Sequence, residues 1–392
     1  MPLEPEALVR RAPHLLLVLF AFQGCESSPP TPSGAPEPGR LVIVGGALQA
    51  ENAAVYSAVL EGRSGAGPVC VIPTASGDPQ AAIEAAVETI SAYGGEGAAK
   101  GVLISTATPE RARDPAVAAE LSECSGFYFT GGSQSRILDV FLPAGDTTVA
   151  YRALMERWRD GAVVAGTSAG AAMMSRVMIS GGSSDEAVSV GVGSDPQADG
   201  VQLRPGMGFS GVMLDQHFLA RGRIGRLLVA TIARANVGFG IDENTAVVVD
   251  GDTALVVGAS GVVIVDPRMG RLTSPMRVSD IRVFLAGSGD VIDLRSWHVS
   301  RSADKTAVPV ESDELTLPAD PFERWAFLDL IADMGASSAR EASFELGDAT
   351  LRIRKSLDFS AYHTAMDGGI RDAPLGLSAG PFRVDLVGPD GE

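Results

Sequence analysis

Short apolar runs that stop at glycine, proline or threonine recur along the first half of the chain. They are Leu41-Val42-Ile43-Val44 before Gly45-Gly46, Val69-Cys70-Val71-Ile72 before Pro73-Thr74, Gly101 to Ser105, and Gly126 to Thr130 before Gly131-Gly132. Continuous apolar runs of this length, without alternation, predict strands buried on both faces, the parallel kind. Between them lie stretches of helical composition: Ala81 to Tyr93, a helix opened around Thr108, Glu110 and Asp114 that runs towards Cys124, Gln134 to Phe141, and Asp146 to Arg159. Strict strand–helix alternation implies a parallel sheet with helices on both faces. The functional crevice of such a sheet lies beyond the C-terminal ends of its strands. Gly45-Gly46, Thr74-Ala75-Ser76, Thr130 to Gln134 and Thr167-Ser168 should therefore share one rim.

Further on the pattern changes. Ser180 to Gly206 is rich in Gly, Ser and Asp without a period and reads as a long loop over the rim. Val212 to Leu214 is a strand. Ala246 to Asp250, Ala254 to Gly258 and Val262 to Asp266 are short strands joined by Asp-Gly or Ser-Gly turns, which predicts an antiparallel meander closing the domain. Beyond Arg271 the signal weakens: Val283 to Leu285 and Val291 to Leu294 are strand candidates, Pro321 to Met334 an amphipathic helix, and residues 340–392 several strands with no motif. The expected fold class is α/β, a three-layer α/β/α sandwich with a mainly parallel sheet over residues 40–290, followed by a β-rich extension of unassigned role over 291–392.

Pattern and chemistry meet between Gly161 and Met174, G-A-V-V-A-G-T-S-A-G-A-A-M-M. Val163 and Val164 are strand formers, Gly166-Thr167-Ser168-Ala169-Gly170 breaks the run, and Ala171 to Met174 favour a helix. Strand, tight turn and helix start is the context that turns G-x-S-x-G into a nucleophile elbow. The glycines let the chain turn sharply and pass close to its neighbours. The serine oxygen then stands above the sheet beside the free N–H groups of a helix start. An ordinary βα turn of small residues has the same spelling, so the rest of the chain has to decide.

Composition narrows the setting. The formal charge of −17 argues against general binding to nucleic acid or anionic lipid. Arg10 and Arg11 precede the apolar run Leu15 to Phe22, too short for the ~20 residues of a membrane span but suited to a signal-peptide core. Gly24-Cys25 after it is similar to a bacterial lipobox, so residues 1–25 are expected to be a lipoprotein-type signal with Cys25 lipidated, plain secretion being the alternative. Residues 26–39, rich in Pro and Ser, read as a tether. The expected location is therefore outside the cytoplasm, as a periplasmic or outer-membrane lipoprotein or an extracellular protein, with membrane contact only through the anchor. Cys70 and Cys124 lie in or near apolar strand runs and are read as buried hydrophobes, not as a disulfide or metal pair. No Cys/His cluster has zinc spacing and no phosphate-binding glycine loop of Walker type occurs, so neither metal nor cofactor is expected.

A serine hydroxyl needs a positioned base, usually histidine, oriented by a carboxylate. Of the histidines, His217 alone follows a strand in the α/β region. Glu243 follows the apolar run Gly238 to Ile241 and is the best carboxylate to orient it, with Asp242 and Asp215 as competitors. Arg221, Arg223 and Arg226 cluster in an otherwise acidic chain. Their forks suit carboxylates, so they mark either a pocket for an acidic substrate or a helix face paired to local acids, at least one of them being structural.

Four stretches in order, Phe129-Thr130-Gly131-Gly132-Ser133-Gln134-Ser135-Arg136-Ile137, Gly166 to Ala171, Asp215-Gln216-His217-Phe218 with its arginines, and Gly240 to Ala246, together resemble the cyanophycinase branch of the peptidase E-like serine peptidases. The resemblance covers roughly residues 40–290. It implies a flavodoxin-like sandwich shared with class I glutamine amidotransferases, and no cofactor. It also implies Ser168 as nucleophile, His217 as base and Glu243 as its partner. The N–H groups of Ala169 and of one of Gly131 and Gly132, nominally Gly132, would hold the oxyanion. Gln134, Arg136, Asp215, Gln216, Arg221, Arg223 and Arg226 fall on positions of the branch's substrate pocket. The implied partner is an Asp-containing peptide or a polymer of β-Asp-Arg units, with no nucleic acid; a homodimer is left open. Ser133 departs from the branch, which has aspartate or asparagine there. The alternatives are a non-catalytic lipoprotein that binds a peptide or carboxylate, and an aminopeptidase or amidase of other specificity.

Overall fold

The computed structural model describes residues 37–193, 199–274, 277–364 and 376–387; the signal and lipidation expectations, Cys25 included, lie outside them. Five parallel strands form the heart of the first sheet: β1 (Leu41–Val44), β2 (Val69–Ile72), β3 (Ala99–Gly101), β4 (Gly126–Phe129) and β5 (Val163–Thr167), side by side in the order β3-β2-β4-β5-β1. Alternate residues of each strand point to opposite faces, and both faces are covered. Val42, Val44, Val69, Val71 and Tyr128 pack with Val55, Val59 and Ile90 from α1 (Ala53–Glu61) and α2 (Pro79–Gly94). Ile43, Cys70, Ile72, Phe127, Phe129 and Val164 pack instead with α3 (Pro115–Ser122), α4 (Gln134–Phe141) and α5 (Val149–Arg159). That double burial is why the runs lack alternation. The strand expected at 101–105 is β3, ending at Gly101, because its partner β2 runs into Pro73, which has no N–H to continue the ladder.

After β5 come the single turn α6 (Ala169–Ala172), β6 (Val177–Gly181), α7 (Ser184–Val190) and β7 (Gln202–Pro205). The stretch 180–206 is thus not the expected loop. β6 and β7 pair as a ribbon, and α7 is opened by a capping box in which Ser183 and Glu186 bond each other's backbone N–H.

A second sheet begins with the parallel pair β8 (Met213–Asp215) and β9 (Gly238–Ile241), linked by α8 (Ile224–Arg234). β10 (Thr245–Asp250) returns to the first sheet antiparallel to β1 and turns back through β11 (Thr253–Gly258). The expected meander stops there. β12 (Gly261–Asp266), buried at every residue, leaves its neighbours and inserts beside β9 in the second sheet. A strand apolar at every residue but its last, Asp266, is satisfied only where both faces are covered. β13 (Arg271–Ser274) and β14 (Arg277–Gly287) follow in the second sheet, and β15 (Val291–Asp293) with β16 (Val299–Ser300) close the edge of the first.

The last hundred residues extend the second sheet: β17 (Lys305–Ala307), then, beyond α9 (Ala326–Ala336), β18 (Glu341–Leu346), β19 (Ala349–Thr364) and β20 (Ser378–Val387), which pairs with β14. Val263 and Val265 of β12 share a cluster with Leu227 and Leu228 of α8 and Leu330 and Ile331 of α9, while Val262 and Ile264 join the core of the first sheet. The two sheets are also fastened by charge. Fully buried Lys305 bonds Asp290 at 2.7 Å and Ser378 at 2.8 Å, and Ser378 donates to Asp290. Cys70 and Cys124 form a disulfide, which corrects the reading of both as plain hydrophobes. The parallel pairing of β2 with β4 brings their α-carbons to 5.8 Å, within disulfide reach.

Candidate active site

The site is built where the two sheets meet. β5 delivers Ser168 from the first; β8 and β9 deliver His217 and Glu243 from the second. The sequence reading had all of them on the rim of one sheet.

Ser168 has φ 54° and ψ −109°, a conformation that L-residues avoid at a cost of about 1–3 kcal/mol. Its surroundings hold it there. The Ser168 N–H donates to Val44 O at 2.9 Å, and its carbonyl accepts from Ala171 and Ala172 at 3.0 Å. The flanking glycines answer to close packing: a Cβ on Gly166 would stand 2.3 Å from Gly170 O, and one on Gly170 would stand 2.4 Å from Phe129 O. These are the contacts that make the G-x-S-x-G spelling a requirement here.

His217 also has positive φ (48°), with its N–H on Gly45 O at 2.6 Å. Its Nε2 lies 3.0 Å from Ser168 Oγ and its Nδ1 2.6 Å from Glu243 Oε1. The ring is nearly buried, the Glu243 carboxylate a quarter exposed. Burial pulls the imidazole below the ordinary histidine value, and the charges of Arg221 and Arg223 add to that, while the bond to Glu243 works against it. The result is a neutral base at neutral pH, held in one tautomer by a carboxylate. The two competing acids are engaged elsewhere. Asp242 accepts from the N–H groups of Leu219 and Ala220, capping the turn after His217. Asp215 lies in a buried bidentate pair with Arg226, whose guanidinium also bonds Gly182 O. Burial acts to raise the Asp215 carboxyl, but Arg226 and Arg223 hold it below the usual range.

The remaining predicted residues divide by access. Asp215 and Arg226 are occupied with each other below the surface, side chains 1% and 7% exposed. Arg223 is partly buried, bonded to Gln216 O, and brought down to about 10 mainly by burial. Gln134 donates to Ile179 O at 3.1 Å and Arg136 to Ala75 O at 3.2 Å, so both shape the rim through the backbone. Arg221 is exposed and has no hydrogen-bond or ion-pair partner among the described residues. Gln216 Oε1 is buried beside His217 without a partner. Among the described residues no protein acceptor takes the N–H of Gly131, Gly132 or Ala169. Gly131 is the nearer glycine to the nucleophile: its added Cβ would meet Ser168 Cβ at 3.5 Å, whereas one on Gly132 would collide with Ala75 O. Ser133 donates its N–H to Ala75 O and precedes α4 without capping it through its side chain.

Two features escaped the sequence reading. Gly46 lies against the His217 ring, and Asn244, at φ 50°, bonds Gly46 O through its N–H, tying the strand after Glu243 to the strand before Gly46. The double glycine and the Glu-Asn pair were the available signals.

Residues 41–257 match the sequence profile of peptidase family S51. Cyanophycinases from Trichormus variabilis and a Nostoc species are each 34% identical to this chain over 264 residues, which covers 64% of it and 84% of each relative. One from Synechococcus elongatus is 34% identical over 192 residues, 46% of this chain and 56% of that protein. A solved peptidase from an acI-B1 Actinobacterium superposes with a TM-score of 0.43 at 22% identity, covering 59% of this chain and 91% of that one.

Proposed function

The chain belongs to peptidase family S51 and is a serine-type peptidase, and we propose that it hydrolyses Asp-containing peptides or a β-Asp-Arg polymer through an acyl-enzyme on Ser168. The observation that carries this reading is the unbroken relay from Ser168 Oγ to His217 Nε2 at 3.0 Å and from His217 Nδ1 to Glu243 Oε1 at 2.6 Å. His217 takes the hydroxyl proton as Ser168 attacks the scissile carbonyl, and Glu243 stabilises the imidazolium that forms. The oxyanion is received by the N–H of Ala169 and of Gly131 or Gly132, a contribution of ~3 kcal/mol per donor. His217 then protonates the leaving amine and activates the water that releases the acyl group.

Substrate choice rests on Arg221, a guanidinium beside this relay with no partner among the described residues, which suits a carboxylate of the substrate. Arg223, bonded to Gln216 O, adds a second positive charge near it, while Arg226 is engaged with Asp215. That its relatives are cyanophycinases, together with Arg221, favours aspartate-bearing substrates. Ser133, where the cyanophycinase branch carries aspartate or asparagine, weights the choice between these two towards Asp-containing peptides.

Export is part of the same proposal. The N-terminal segment has signal character, and a disulfide between β2 and β4 suits an oxidising compartment. Assay of the soluble protein lacking residues 1–39 against cyanophycin and a library of Asp-X dipeptides tests the reading, alongside a fluorophosphonate probe. Labelling at Ser168 with turnover confined to aspartate-bearing substrates is expected. A folded protein that neither labels nor cleaves would leave only the binding alternative.

A further inference from the structure

A cavity of about 300 Å³ opens between β14, β16, β19 and β20. It contains none of the residues discussed above for catalysis and lies in the part of the chain beyond the family match. Two arginines line it. Arg301 lays its guanidinium 3.8 Å over the Tyr362 ring, and Arg282 stands 5.0 Å over Phe284. Neither makes a hydrogen bond or ion pair with any described residue, and Arg282 Nε is buried without a partner. Buried N–H donors in native proteins nearly always have an acceptor, so an orphan of this kind calls for one. The local carboxylates do not serve. Asp266, which feels the Arg282 charge, has both oxygens taken by Arg268, and Asp358 on the rim pairs with neither arginine. Two guanidiniums that face one cavity without a partner among the described residues are hard to explain as a solvated surface in a chain of net charge −17.

We propose that this cavity is a second ligand site, separate from Ser168, that binds an organic carboxylate. The fork of a guanidinium fits a carboxylate by two parallel N–H···O bonds, and two forks fit a dicarboxylate. The aromatic walls, Phe284 and Tyr362 under the arginines and Trp297 beside them, keep the guanidiniums flat and leave apolar surface for the ligand's carbon chain. The volume is at the small end of the range for ligand pockets, which suits a molecule of a few carbons or one residue of an acidic peptide. The proposal does not rest on the peptidase reading.

Trp297 provides a readout independent of activity. Full-length Ser168→Ala protein titrated with succinate should show a saturable change in tryptophan fluorescence that is absent from the Trp297→Phe variant. Arg301→Met, at an exposed position where folding is not at stake, should weaken binding at least tenfold, and Arg282→Lys should do so while keeping the charge. Arg221→Ala should leave the titration unchanged. Hexa-aspartate in place of succinate separates the two sources: tenfold tighter binding assigns the site to carboxylates on a chain, equal or weaker binding to a free carboxylate. The absence of a saturable change, a titration indifferent to both arginine substitutions, or inorganic phosphate binding as tightly as succinate would each overturn the proposal.

Discussion

The imidazole of His217 rests on the bare α-carbon of Gly46: a Cβ added there would stand 2.4 Å from both Cε1 and Nε2 of the ring. Gly46 also has φ +112°, which disfavours any side chain. Gly46→Ala must therefore push the ring away from Ser168 or strain the turn. A displacement of this size costs on the order of 100-fold when a base has to meet a nucleophile. The expected result is a fall of about that size in kcat/KM with a protein that still melts cooperatively. Unchanged kinetics would mean that the ring position is not what limits catalysis.

Ser168 is held in a backbone conformation that glycine tolerates and alanine does not. Both Ser168→Ala and Ser168→Gly should lose at least ~1,000-fold in turnover, since the relay has no nucleophile. Their stabilities should differ. Relief of strain makes the glycine variant more stable than the alanine variant by about 1 kcal/mol. Urea unfolding of the two compares them directly, and equal midpoints would show that the elbow is unstrained.

The base must be neutral to accept a proton, and burial holds His217 below the ordinary histidine value of ~6.5. The acid limb of kcat/KM should consequently lie below that pH. Arg221→Ala removes a charge that lowers the imidazole, so the limb should move to higher pH; Glu243→Gln removes one that raises it, so the limb should move lower while kcat falls by at least ~100-fold. Stability follows the same sign. Below pH ~6.5 the unfolded chain takes the proton first, so His217 subtracts stability as the pH falls towards its folded value. A pH–rate series on the three proteins decides this, and limbs that coincide would remove His217 as the titrating group.

Cys70 and Cys124 close a loop with a sequence separation of 54, which in the chain-entropy picture is worth ~4 kcal/mol. Cys70→Ala with Cys124→Ala should lower the urea midpoint accordingly. Both sulfurs are fully buried, so reductant alone should act slowly on the folded protein. Thiol titration in denaturant of protein lacking residues 1–35 should find none before reduction and two after. Two thiols before reduction would contradict the bond.

Arg226 and Arg221 lie five residues apart and should respond in opposite ways. Arg226→Met leaves the buried Asp215 carboxylate only the longer contact to Arg223 at 3.6 Å, a loss of about 3 kcal/mol. Arg221→Ala touches an exposed side chain with no partner among the described residues and should change stability by less than ~0.5 kcal/mol. Its effect should be a rise in KM for Asp-containing dipeptides. Paired melting and kinetic measurements test the division, and a swap of the two phenotypes would reverse which arginine is structural.

The five-residue spelling around Ser168 occurs a second time, as Gly376-Leu377-Ser378-Ala379-Gly380, with a different outcome. Ser378 starts strand β20, and its hydroxyl is held between Asp290 and Lys305 in the core. The motif was readable in the sequence only because of what flanked it: a strand-forming run before Ser168 and helix formers after. The capping box of Ser183 and Glu186 was a comparable local signal for α7 within the stretch read as a loop.

By itself the sequence determined the local elements of the first sheet and the turn that carries Ser168; it narrowed the imidazole to His217 and left Glu243 with Asp242 and Asp215 as candidate carboxylates. Those depend on interactions within a few residues, on apolar runs, glycine positions and caps, which composition records directly. Only the tertiary structure decided that β12 would leave its hairpin, that Cys70 would meet Cys124, that Asp215 would take Arg226 and leave Arg221 free, and that His217 and Glu243 would reach Ser168 from a different sheet. Each is a pairing between residues far apart in the chain, settled by which strand lies beside which and which charges lose their water, and nothing local encodes it.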